Sequence, residues 1–123
     1  MANEITLTTN LTSTNGLVKV NNQVGGVQID QAAQGKAEFT QAVGTTPVPL
    51  ELGELSTPGV CLLRNSDDTD TIYIGLIISS AGSFETFFEL KPGEPCSGRL
   101  GLVDPYVKSS ANNPILTGSI LEA

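Results

Sequence analysis

Gly59-Val60-Cys61-Leu62-Leu63-Arg64 and Thr71-Ile72-Tyr73-Ile74-Gly75-Leu76-Ile77-Ile78 stand on either side of Asn65-Ser66-Asp67-Asp68-Thr69-Asp70, and this stretch decides the fold class. Both flanking runs are rich in β-branched and aliphatic residues, and the six residues between them favour turns. In the second run Ile72, Ile74, Leu76 and Ile78 fall on one side and Tyr73, Gly75 and Ile77 on the other, the two-residue period of a strand buried on at least one face. The spacing predicts a β-hairpin with the acidic run at its tip.

Downstream, Ser79-Ser80-Ala81-Gly82 reads as a turn into Ser83–Leu90, where Phe84, Phe88 and Leu90 alternate with Glu85, Phe87 and Glu89. That alternation places Phe87 outward between two acids. Lys91-Pro92-Gly93-Glu94-Pro95 has proline at the favoured second turn position and glycine at the next, so a second hairpin to Cys96–Leu100 is expected. Tyr106-Val107 and Ile115–Leu121 supply the last strands. Upstream, Pro47, Pro49 and Pro58 confine any strand over Val48–Leu52 to a sheet edge. Gly26–Asp30 and Ala37–Val43 are two further strands; the intervening Gln31-Ala32-Ala33-Gln34 suits either a connection or a helical turn. Glu4–Thr9 and Leu17–Val20 form a polar, peripheral pair around a turn-rich Asn10–Gly16. The expectation is an all-β chain, a jelly-roll-like β-sandwich of about eight to ten short antiparallel strands. The 123 residues suffice for one such domain, 1–123, with 1–22 as a peripheral N-terminal arm.

Composition narrows the function. No residue is histidine, which removes the usual hydrolytic dyads and triads and histidine metal sites. Thirteen acids against six Lys and Arg give a net charge of −7, a field that repels phosphate backbones, so nucleic acid is not an expected partner. No run approaches the roughly 18 apolar residues of a membrane helix, and Met1–Thr6 lacks a basic start before an apolar core. Synthesis in the cytoplasm without membrane association is the expectation. In that compartment Cys61 and Cys96 default to free thiols, and with no CxxC or Cys–His pair they offer zinc no site.

Several residues are candidates for more than packing. Asp67, Asp68 and Asp70 could hold Ca²⁺ or Mg²⁺, although the run lacks EF-hand spacing and a solvated loop tip explains it as well. Glu85 and Glu89 fall on one strand face, and paired carboxylates can run glycosidic chemistry; a wet strand face is the simpler account. No GxSxG, SxxK or glycine-rich phosphate loop supplies a nucleophile or a nucleotide site, so no enzyme, catalytic residue or cofactor is expected. Phe87 and Tyr106 fit either aromatic anchors of a protein contact or packing beneath a loop. Arg64 and Arg99, at strand ends, and Ile5 and Leu7, in the arm, complete the interface candidates.

The order of elements carries a family likeness. Met1-Ala2-Asn3-Glu4 is followed by Thr40–Thr46, Leu50-Glu51-Leu52-Gly53-Glu54-Leu55, Gly59–Asp67, Ile72-Tyr73-Ile74-Gly75, Phe88–Glu94 and Gly118-Ser119-Ile120-Leu121-Glu122. This series resembles the small virion structural proteins of tailed bacteriophages, across roughly the whole chain but through short pieces that are mostly strand ends and turns. The resemblance implies a β-sandwich displayed on the capsid exterior of the virion. It also implies a capsid decoration or cement role, the phage major capsid protein as partner and a homotrimer as the assembly. It carries no catalytic residue. The acidic Asp67–Asp70 loop departs from the pattern. A tail, knob or spike component binding the host surface, and a free cytosolic ligand-binding β-sandwich, remain the alternative readings. Under the leading one, the arm would add a strand to a neighbour's sheet edge through main-chain hydrogen bonds.

Overall fold

Ten strands and no helix make up the regular structure of the described residues, which in this computed structural model are 5–15, 18–29, 36–52, 55, 58–77, 83–100 and 105–122. They are β1 (Ile5–Asn15), β2 (Val18–Ile29), β3 (Lys36–Ala42), β4 (Val48–Pro49), β5 (Pro58–Asn65), β6 (Ile72–Ile77), β7 (Phe84–Leu90), β8 (Pro95–Arg99), β9 (Tyr106–Ser109) and β10 (Ile115–Glu122). The chain is all-β, and its strands pair antiparallel throughout. One four-stranded sheet has the order β3-β10-β5-β8, a second the order β4-β9-β6-β7, and β1 and β2 form a ribbon apart from both.

The two four-stranded sheets share one apolar core in a sandwich-like arrangement. Alternation along each strand turns Cys61 and Leu63 of β5 and Leu116 and Ile120 of β10 inward from the first sheet. Ile72 and Ile74 of β6, Leu90 of β7 and Val107 of β9 meet them from the second. Each such aliphatic side chain contributes about 1.5–3 kcal/mol by leaving water. Gly118 belongs to the inward set of β10, and a Cβ there would collide with the Leu63 side chain, so the glycine is what lets Leu63 fill the middle of the core.

The predicted strands exist, but two predicted hairpins do not. β5 pairs with β10 and β8, whereas β6 pairs with β9 and β7, so the acidic run 66–71 crosses from one sheet to the other. The Lys91–Pro95 turn is likewise a crossing, from β7 to β8. Its geometry is as expected, with Glu94 N–H donating to the Lys91 carbonyl at 2.9 Å and Gly93 at φ +83°. Alternation alone cannot separate a partner beside a strand from one across the core, because both require the same inward residues. The pairs β3/β10, β4/β9, β5/β8 and β6/β7 are nested, each enclosing the next along the chain.

The edge position expected for Val48–Leu52 is met: β4 borders the second sheet, pairing Val48 with Val107 and Pro49 with Tyr106. Buried Gln41 ties this border to the other sheet. Its Nε2 donates to the Pro49 carbonyl at 3.1 Å, and its Oε1 accepts from Glu51 N–H at 3.0 Å. The amide thus stitches β3, a border strand of one sheet, to the chain around β4, a border strand of the other.

The N-terminal segment is longer and more regular than its sequence suggested. Asn10–Asn15 continues β1, and Gly26–Ile29, expected as a separate strand, is the second half of β2. The arm therefore extends to Ile29 instead of stopping near residue 22. The possible helical turn at 31–34, the Ser79–Gly82 turn and the opening Met1–Glu4 lie outside the described residues.

Candidate functional site

Three places other than the ribbon gather the candidate side chains. In the acidic loop, Asp67 is occupied by its own backbone. Its Oδ2 accepts from Thr69 N–H at 3.0 Å and Asp70 N–H at 2.8 Å, which hold its carboxyl below the ordinary value of 3.8. Asp70 Oδ2 accepts from Asn112 Nδ2 at 3.0 Å. Two of the three carboxylates therefore fasten the crossing to itself and to the loop after β9. Among the described residues no three acidic or cysteine side chains converge in a group that could hold a metal ion.

Beneath this loop sits Asn65, fully buried at the end of β5. Its Nδ2 donates to the Asp70 carbonyl at 2.8 Å and to the Leu90 carbonyl at 2.9 Å, while its Oδ1 accepts from Asp67 N–H at 3.0 Å. Read from sequence as a turn residue only, Asn65 is the residue that binds both crossings together. Its position directly after an inward-alternating run, at 61 and 63, was the available signal.

The second place is the open side of the sandwich between β7 and β8, where a cavity of about 310 Å³ is lined by Cys61, Leu63, Ile74, Phe88, Cys96 and Leu100 among others. Both cysteines are free. Burial pushes the Cys61 thiol up to about 11, with the Gly98 backbone hydrogen bond opposing in part. Burial also lifts Cys96 to about 11, helped by neighbouring Cys61. These thiols are protonated and poorly nucleophilic at neutral pH. Arg99 stands exposed at the cavity rim.

The third place is β7 itself, the border of the second sheet opposite β4, with no further strand beside it among the described residues. Ile74 faces Phe88 and Gly75 faces Thr86, so Phe87 is an extra residue, the unpaired member of a β-bulge. The bulge brings the backbone so close that a Cβ on Gly75 would overlap the Glu85 carbonyl. It also reverses the parity read from sequence. Glu89 lies opposite Tyr73 and Glu85 opposite Leu76, three residues apart, so the two carboxylates occupy opposite faces and the paired-acid arrangement does not form. Phe84 likewise departs from the inward set of Phe88 and Leu90. It faces the outer side, where the Lys108 ammonium lies 5.1 Å from its ring centre and 5.9 Å from that of Tyr73. Phe87 is 66% exposed, as expected, but it lines the cavity mouth together with Phe88, 52% exposed, instead of standing on the opposite face from it.

The remaining candidates scatter. Tyr106 is half-buried between Pro49 and Gly75 on the second sheet. Arg64 is exposed on the outer face of the first, its Nε donating to the Gly93 carbonyl at 3.3 Å. Ile5 is only 5% exposed and Leu7 half-buried, so Ile5 is packed at the ribbon's base instead of being presented to a partner. No protein-family model, no curated protein and no solved structure matches the chain. What fold and surface define together is an all-β sandwich with an aromatic free edge, a small apolar cavity and a protruding two-stranded ribbon.

Proposed function

We propose that the chain is a structural protein of a tailed-bacteriophage particle, a capsid decoration or cement protein that binds the assembled coat shell from outside and stabilises it. The observation that carries this reading is the β7 edge. Exposed Phe87, unpaired in the bulge and set with Phe88 at the cavity mouth, stands on a strand whose outer backbone edge has no neighbouring strand among the described residues. Aromatic side chains of this kind anchor protein contacts, and an open edge invites strand addition. The nested strand pairs support it as well, since a long hairpin rolled into two sheets gives a jelly roll, an architecture that recurs in capsid domains.

The mechanism is adhesion. A protein that binds only the assembled shell lowers its free energy by an amount that grows with the logarithm of its free concentration relative to Kd, and several linked copies gain from high effective concentration. Co-sedimentation of the purified chain with coat shells stripped of it tests the proposal. The parent chain is expected to bind and raise the shell's heat resistance, Phe87→Ser to lose most of that binding. Absence of binding by the parent chain overturns the reading.

The cavity favours a second reading, a free ligand-binding sandwich, since about 310 Å³ lies at the lower end of small-molecule sites. That reading expects saturable uptake of a small apolar probe and no enrichment on particles.

A further inference from the structure

We infer that the apolar face of the β1–β2 ribbon is a self-association surface, whose occupant is the same face of a second copy of this chain. The inference begins with a register. Ile5 pairs with Ile29 and Leu7 with Val27, but Thr9 pairs with Val24, so Gly25 and Gly26 together oppose Thr8. This is a β-bulge, with Gly26 at φ +63° and its N–H donating to Thr8 Oγ1 at 3.2 Å.

The bulge repairs a parity fault in the sequence. Val24 lies three residues before Val27, and in an unbroken strand the two would point to opposite sides. With one extra residue accommodated, Ile5, Leu7, Leu11, Val24, Val27 and Ile29 all share one face, interrupted by Thr9 and Asn22. The other carries Thr6, Thr8, Asn10, Thr12, Asn21, Gln23 and Gln28. Outward from the buried base this apolar face is open, Leu11 being 67% and Val24 49% exposed. A two-stranded ribbon is marginal in water alone, and this one extends roughly 35 Å at strand rise, so its face calls for a cover.

Charge selects the cover. The chain carries −7, so most surfaces of two copies repel, yet residues 5–15 and 18–29 hold no acid and a single base, Lys19. Two ribbons can therefore lie face to face at the spacing of packed sheets, about 10 Å, without bringing acids together. This holds whatever the assembled protein binds, so it is tested in solution with no particle present.

The experiment is sedimentation velocity on the full chain from about 1 to 100 µM, with Leu11→Glu on the apolar face and Thr12→Glu on the polar face as matched variants. The expected result is a reversible oligomer for the parent and for Thr12→Glu, and self-association weakened at least about tenfold by Leu11→Glu. Deleting Gly25 removes the extra residue, so that Val24 and Val27 fall two apart on one face of an unbroken strand, and association is expected to be retained, with the urea midpoint of the body unchanged. A parent that stays monomeric across the range, or a Leu11→Glu variant that associates like the parent, overturns the inference.

Discussion

The side-chain amide of Asn65 donates to the main-chain carbonyl of Leu90 at 2.9 Å, joining the end of a strand in one sheet to the end of a strand in the other. The same nitrogen reaches Asp70, so one buried amide satisfies both chain crossings.

Replacing Asn65 by Ala leaves two carbonyls and the Asp67 N–H without that partner inside the protein. Each buried group so orphaned costs about 1–3 kcal/mol, and a total loss of about 3 kcal/mol is expected from urea denaturation, with water entering the gap to recover part. Asn65→Asp keeps the acceptor but loses both donors, and is expected to fall below the parent by a comparable amount.

Gly75→Ala places a methyl group on the Glu85 carbonyl and must push β7 away from β6. A loss of about 3 kcal/mol is expected, at the upper end for overpacking. Gly25→Ala serves as a control. Its Cβ would meet nothing within 4 Å, and calorimetry is expected to find its transition close to the parent's.

The acidic loop has a pH signature. Backbone donors lower the pKa of Asp67, so its carboxylate favours the folded form above the ordinary value of 3.8. That contribution is lost as pH falls from 3.8 through the lower folded value. Asp67→Asn is expected to flatten the decline of stability in that window relative to the parent, as measured by thermal midpoints at closely spaced pH.

Cys61 and Cys96 behave oppositely. Each has a folded pKa near 11 against 9.0 unfolded, so their contribution is complete below pH 9 and falls as pH rises toward 11. Iodoacetamide at pH 8 is expected to label neither thiol appreciably in the native chain and both in urea, as read by intact mass. Rapid native labelling of Cys61 would contradict its burial.

The strands and the border position of β4 were legible because two-residue alternation and proline placement are local properties. The way strands are shared between sheets was not. Leu63 and Ile72 look alike whether their strands lie side by side or face each other, and only the distant partners β10 and β9 decide between them. Both bulges escaped for a related reason. Phe84 and Phe88 are four apart and read as one face until Phe87 is found unpaired; Gly25-Gly26, between valines at odd spacing, carried a signal that its turn propensity obscured. Of the candidate surfaces, the exposure of Phe87 was read correctly, whereas the paired acids and the hairpin beneath Asp67–Asp70 were not, and Ile5, an interface candidate, is buried.

The nested pairing also sets an order of assembly. β6 and β7 are close neighbours in the chain, while β3 must wait for β10, which is inserted between it and β5. During synthesis, two bare borders of the first sheet stay open until residues 115–122 have left the ribosome. A fragment that ends before that point would leave both borders bare and be prone to stick to its siblings.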